Sequence, residues 1–177
     1  MTLLSADSGA KFSPCRRWRY WLWRAWDESK PTLNLVGCNP SKAAEMTSDS
    51  TATKALTYAR EWGFGRLEIT NLYAYVATDP KAMKAAPFAV SDNFDLDAND
   101  RWLVARAKAA DMVLCAWGMN GHFMGRAAHV EGLLRRARAG VPRSSKQGLH
   151  VLSLCKDGTP QHILYLPGNL TPFEWRS

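Results

Sequence analysis

Three side chains and one dipeptide, far apart in the chain, carry groups that suit the chemistry of a bound heterocycle. Asn39 and Asn71 are amides, able to donate and accept together, which equips them to read the edge of a base or to hold a water molecule. His162 can donate to a developing oxyanion or take a proton. The pair Trp117-Gly118 ends an apolar run. No acidic residue stands at the Asn39 position; Asp49 and Asp79 are carboxylates in polar stretches after the strand candidates. Each group has an ordinary alternative: Asn39 can cap a turn, Asn71 can end a strand, and His162 can be a satisfied surface histidine. Their shared placement at or beyond the carboxyl ends of strand candidates is what favours a site.

The elements that must position them follow from the hydrophobic pattern. Residues 32–37, TLNLVG, read as a strand that stops at Gly37 and turns through Cys38-Asn39-Pro40-Ser41. Gly37 relaxes the backbone there, and Pro40 removes a donor and biases Asn39 towards an extended geometry. Residues 67–72 form a second strand with Asn71 near its end. Residues 112–117, MVLCAW, form a third, its nearly unbroken apolar run typical of a strand covered on both faces. Residues 150–154 form a fourth, and His162 lies in the tail beyond it. Helical spacing predicts helices over 51–62, 98–109 and 123–139. Residues 43–53 are too polar for a core and read as a loop over the strand ends. Residues 73–80 read as a connection, and the KAMKAA segment after it as a turn. Residues 16–26 read as an edge strand or a short helix.

This alternation predicts an α/β protein, three layers (α/β/α) around a central, mostly parallel four-stranded sheet with right-handed crossovers. Residues 1–15 are expected to be a flexible N-terminal arm and 16–177 a single α/β domain. Such sheets bind ligands outside the carboxyl ends of their strands, which is where Asn39, Asn71, Gly118 and His162 are expected to meet.

Bulk properties narrow the classes. The 177 residues carry a formal charge of +7, with a pI of about 9.4. That balance favours a polyanionic partner. Several of the 8 tryptophans interleave with arginine in CRRWRYWLWRAW, residues 15–26. Such a segment either clamps phosphates and stacks bases or packs its aromatics on the sheet with its arginines in water. The second reading suits most of the aromatics, and a phosphate role stays open for one or two arginines. The 4 cysteines are widely separated and form no CxxC pair. Neither a zinc site nor an iron–sulfur cluster is expected, nor any other cofactor. A reduced, cytoplasmic, monomeric protein is expected, with no signal peptide and no membrane span. No phosphate-binding loop of the GxxxxGK[ST] or GxGxxG type occurs, nor HExxH, nor GxSxG.

Longer motifs carry a resemblance. Arg19-Tyr20, Leu22 and Arg24-Ala25-Trp26, then CNPSKA, SDST, AREWGFGRLEITNLYAYVATDP, ND, AWG and KDGTPQHILYLP closely resemble a bacterial and phage family of unknown function, the family numbered 1643. The resemblance runs in order from about residue 19 to residue 175. Two departures touch the expected site. The family usually reads LNPST where this chain has CNPSK, which introduces Lys42. It reads HPLYL where this chain has HILYL, with Ile163 in place of a proline.

The motif order in turn resembles the uracil-DNA glycosylase superfamily. There, strand one ends in G-x-[DN]-P, strand two in Asn and strand three in Trp-Gly, and a His-containing loop follows strand four. By that resemblance the function is DNA N-glycosylase-like, excising a damaged or modified base, in a setting such as phage–host conflict. Asn39 and His162 are the implied catalytic residues. Cys38, Ser41, Asn71, Trp117 and Gly118 would bind the base, Asn71 reading its edge once flipped. Lys42, Asp49, Tyr73 and Asp79 are additional candidates. Arg16, Arg17, Arg19, Arg143 and Lys146 would contact DNA phosphates. His162, held neutral, would stabilise the departing base, while Asn39 would position a water without deprotonating it. Two alternatives stay open: a non-catalytic nucleic-acid or nucleotide-binding protein on the same fold, and an enzyme acting on free nucleosides or nucleotides.

Overall fold

The computed structural model describes residues 7–42, 50–142 and 146–176. Asp49, Arg143 and most of the polar 43–53 stretch lie outside them. The elements run β1 (Ser8–Phe12), β2 (Arg19–Ala25), β3 (Thr32–Gly37), α1 (Ser50–Glu61), β4 (Arg66–Asn71), α2 (Pro80–Ala85), α3 (Ala98–Ala109), β5 (Met112–Cys115), α4 (Arg126–Ala139), β6 (Leu149–Val151) and β7 (Phe173–Glu174). Short 3₁₀ segments cover Met119–Gly125 and Ile163–Tyr165.

The fold is α/β, with one mixed sheet of seven strands in the order β1-β2-β4-β3-β5-β6-β7. The expected four-stranded sheet is corrected on this point. The four strands anticipated from the sequence lie side by side and are mutually parallel, but antiparallel strands extend both edges. Residues 16–26 do not form an edge: β2 is sandwiched between β1 and β4. The partner that covers it is Ser8–Phe12, drawn from the stretch expected to be an arm. Gly9 makes that pairing possible, because a Cβ there would fall 2.3 Å from the Trp23 ring.

Alternation along the strands divides the core between two faces. Leu33, Leu35, Leu67, Ile69, Met112 and Leu114 point to one face and pack with Ala55, Tyr58 and Ala59 of α1. Val36, Val113, Cys115 and Val151 point to the other and pack with Leu103, Ala107, Val130 and Leu134 of α3 and α4. Each aliphatic side chain sealed in this way contributes roughly 2 kcal/mol, so the parallel centre of the sheet carries most of the buried core. α4 starts at Arg126 rather than at residue 123, because Phe123 and Met124 leave helical geometry and Gly125 is left-handed, with φ of 65°. The KAMKAA segment, expected as a turn, forms α2 behind an Asp79 cap.

Candidate functional site

β3 and β4 end side by side, with Gly37 opposite Asn71 in the parallel register. Beyond that point the two loops are zipped together. Leu72 N donates to Gly37 O at 3.0 Å, Tyr73 N to Cys38 O at 2.9 Å, and Ala77 N to Pro40 O at 2.9 Å. This zipper holds Asn39 in place. Its Nδ2 donates to Ala77 O at 2.7 Å, which fixes the amide's orientation and makes Oδ1 its acceptor end.

Asn71 is 4% exposed, and its Nδ2 is buried without a hydrogen-bond partner. Buried polar groups are nearly always paired, so such an exception calls for an explanation. The backbone beneath it is well held. Asn99 Nδ2 donates to Asn71 O at 3.1 Å and to Leu72 O at 3.0 Å, and Arg126 Nε reaches Leu72 O at 2.7 Å. Arg126 is itself paired with Asp100, which also meets His129 at 2.8 Å. Burial opposes ionisation of Asp100, but its bonds from Arg126 and His129 prevail and hold its carboxyl below the usual range.

His162 reaches the same edge on the segment after β6. Gly118 N donates to Pro160 O at 2.9 Å, and Gly118 adopts φ of 67° where a Cβ would lie 3.1 Å from His162 Cβ. The close approach of the two loops therefore needs glycine. His162 Nδ1 accepts from Leu164 N at 3.2 Å, so a neutral ring carries its proton on Nε2. Lys54 Nζ donates to Leu164 O at 3.0 Å and also to Leu166 O, and Tyr58 OH donates to Pro167 O, clamping this segment onto α1. Ile163 is fully buried in the core.

Three adjoining hollows follow this edge. The central cleft, about 370 Å³, is lined by Arg19, Asn39, Ser41, Asn71, Thr78 and His162, among others. A second, about 330 Å³, includes Trp117, Gly118 and Gln161 and shares Cys38, His162 and Tyr165 with the first. A third, about 380 Å³, contains Arg16, Arg17 and Lys42 and shares Arg19 and Ser41 with the first. No carboxylate lines the central cleft among the described residues. The arrangement offers two amides, an imidazole donor and a buried guanidinium.

The structure thus brings together Asn39, Ser41, Asn71, Cys38 and His162, with Arg16, Arg17, Arg19 and Lys42 next to them. Cys38 is no nucleophile, since burial pushes its thiol up to about 12. Trp117 borders the second hollow but is 1% exposed, its ring edge-on to Trp175 at 5.7 Å. It cannot offer an open stacking face there.

Three expected residues stand elsewhere. Tyr73 points into the core, where its OH donates to Phe123 O at 2.5 Å and burial raises its phenol. Asp79 accepts from Lys81 N at 2.8 Å as the cap of α2 and lines none of the three hollows. Lys146 precedes β6 and so falls at the opposite end of the sheet, beside Pro31 and Met112. Sequence reasoning missed the supports Lys54, Asn99 and Arg126, and also Tyr165, which is 78% exposed with its ring 5.8 Å from that of His162. The Asn99-Asp100 pair and Tyr165 (in HILYLP) stood within the quoted motifs, which were the available signal.

Among the described residues no three His, Cys, Asp or Glu side chains are grouped to hold a metal ion. No described helix is long and apolar enough to cross a membrane. No curated protein and no solved structure matches the chain, so no comparison supports the expected likeness to uracil-DNA glycosylases. A family model does match, over residues 19–164, and by it the chain belongs to the family described as protein of unknown function, DUF1643.

Proposed function

We propose that this protein is a DNA N-glycosylase-like enzyme that removes a damaged or modified base. The observation that carries the reading is the Asn71 amide. It is buried and unpartnered in a cleft it shares with Asn39 and His162. An unpaired buried amide costs about 1–3 kcal/mol, and a ligand with a complementary edge removes that cost. In the proposed reaction the base sits against Asn71. The sugar–base C–N bond breaks with its electron pair leaving on the base, and His162 Nε2–H stabilises the anion. Asn39 Oδ1 accepts a hydrogen bond from the water whose oxygen bonds to the sugar carbon, and that water's proton passes to solvent. With no carboxylate among the described lining residues, bond breaking must run ahead of water attack, giving a cation-like transition state.

The test is incubation with genomic DNA from hosts and phages that carry modified bases. Released bases are followed by mass spectrometry and abasic sites by alkaline cleavage. Release is expected, with loss in His162→Ala and Asn39→Ala. No release across a broad panel of modified bases overturns the chemistry. The absence of a carboxylate among the described lining residues also supports a second reading, a nucleic-acid binder without turnover, which predicts salt-dependent retention of DNA and no product.

A further inference from the structure

The third hollow is a chamber of cations opening beside the Asn71 cleft. Arg16, Arg17, Arg19 and Lys42 line it, with Phe12 and Tyr75 as aromatic walls. Among its described lining residues there is no carboxylate, and the same holds for the adjoining cleft. Arg19 differs from the other three. It is 3% exposed, whereas Arg16, Arg17 and Lys42 are exposed. It also lines both hollows, as does Ser41. β2 fixes its position, since Arg19 N donates to Ala74 O at 2.8 Å just beyond β4. Arg16 is held as well: its guanidinium lies 4.2 Å from the centre of the Phe12 ring. A guanidinium presents a planar fork that matches phosphate oxygens two at a time.

We propose that this chamber is a phosphate subsite, and that the ligand unit is a nucleoside bearing a phosphate ester, its base at Asn71 and its phosphate at Arg19. The proposal rests on the base-binding reading of the Asn71 cleft. Arg19 supplies the directional contact, and Arg17 and Lys42 supply attraction at the mouth. Free bases and plain nucleosides leave the chamber empty and bind poorly. The phosphate can belong to a mononucleotide or to a strand.

Titration calorimetry separates these cases. The probes are the common deoxynucleoside 5′-monophosphates, the matching nucleosides and a mixed-sequence single-stranded oligonucleotide. Phosphate-bearing probes are expected to bind about tenfold more tightly than nucleosides, with an advantage that shrinks between about 50 and about 200 mM salt. Arg17→Ala combined with Lys42→Ala, both at exposed positions, should remove about half of that advantage on a logarithmic scale and leave nucleoside affinity unchanged. Arg19→Lys, which keeps the charge but loses the fork, should cost most of it. Asn71→Ala should weaken nucleoside and nucleotide by the same factor. Tight binding of mononucleotides assigns the phosphate to a free nucleotide, and binding of the oligonucleotide alone assigns it to a strand; both support the subsite. Equal affinity for nucleosides and nucleotides, an advantage that ignores these substitutions, or no binding of any probe overturns it. A phosphate advantage that persists where no base is ever released leaves the subsite standing and removes only the glycosylase chemistry.

Discussion

Gly37→Ala separates the site from the fold. A Cβ at this position would stand 2.8 Å from Asn71 Oδ1, while its next neighbours, Asn71 Cγ and Thr70 O, lie at 3.9 and 4.0 Å. Gly37 has no positive φ, so alanine meets no backbone strain and the substitution tests space alone. An ordinary carbon–oxygen contact is about 3.3 Å, so the amide must retreat by about 0.5 Å. The colliding atom ends a side chain with two rotatable bonds, which yields far more easily than backbone. Crowding of this kind costs about 1–2 kcal/mol, and removing a glycine from the unfolded chain returns about 0.5 kcal/mol. The net stability change should therefore be near 1 kcal/mol. A reacting group displaced by about 1 Å loses on the order of 100-fold in rate, so half that displacement should cost on the order of tenfold. Urea denaturation measures the first quantity, and base release or nucleotide binding the second. A stability loss beyond about 3 kcal/mol would show that the strand end, not the side chain, takes the strain. Unchanged function in Gly37→Ala beside a dead Asn71→Ala would show that the position of the amide does not matter. Either result refutes the argument.

Two further substitutions probe groups that the fold tolerates rather than needs. Asn71→Leu replaces the unpartnered amide with an apolar side chain of similar size; it should raise stability by about 1 kcal/mol, or about 2–4 °C in Tm, while abolishing base release, and a fall in Tm would mean that the amide is satisfied. His150 starts from an ordinary value of 6.5 and is lowered, first by burial and then by Lys146. The folded protein thus prefers it neutral, so its contribution is complete above pH 6.5 and is lost as pH falls towards the folded value. His150→Leu should flatten that part of the stability-versus-pH curve measured by urea denaturation, and an unchanged slope would assign the acid sensitivity to other groups.

The parts of the fold legible in the sequence were those whose pattern has a single cause. β5 is buried on both faces and shows as an apolar run, β3 shows through Leu33, Leu35 and Val36 around the buried Asn34, and α3 spans the residues its helical spacing predicted. β2 was ambiguous because its residues answer to three demands at once. Tyr20 and Leu22 enter the core, Trp21 and Trp23 stack on each other at 4.2 Å, and Arg19 is buried beside the cleft. β7 has only two residues, both exposed, and no local pattern marks it. In the site, position at a strand end was enough to find Asn39, Asn71 and His162. It failed for Tyr73, two residues past Asn71 but turned into the core, and for Lys146, near β6 in sequence but at its other end. Arg126 and Lys54 were not legible, and Asn99 showed only as part of a quoted motif, because all three act by long-range donation to backbone carbonyls, which leaves no periodic trace.

The supports and the site divide their work in a way that bears on function. Asn99 and Arg126 satisfy the carbonyls at the end of β4, Asn39 satisfies that of Ala77, and Lys54 those beside His162. Around the cleft, the chain thus provides donors for backbone groups that a tight loop would otherwise strand. The Nδ2 of Asn71 is nevertheless left without a partner, as are Asn99 Oδ1 and Trp117 Nε1 near it. A chain free to choose Leu or Val there would gain stability, and the two-sided core of the sheet would accept either. Gly37 leaves room for the Asn71 amide, and under the proposed function a bound base completes its hydrogen bonding. The proposed ligand enters between Asn39 and His162, next to a buried arginine, and on that reading it combines a polar planar edge with negative charge close by.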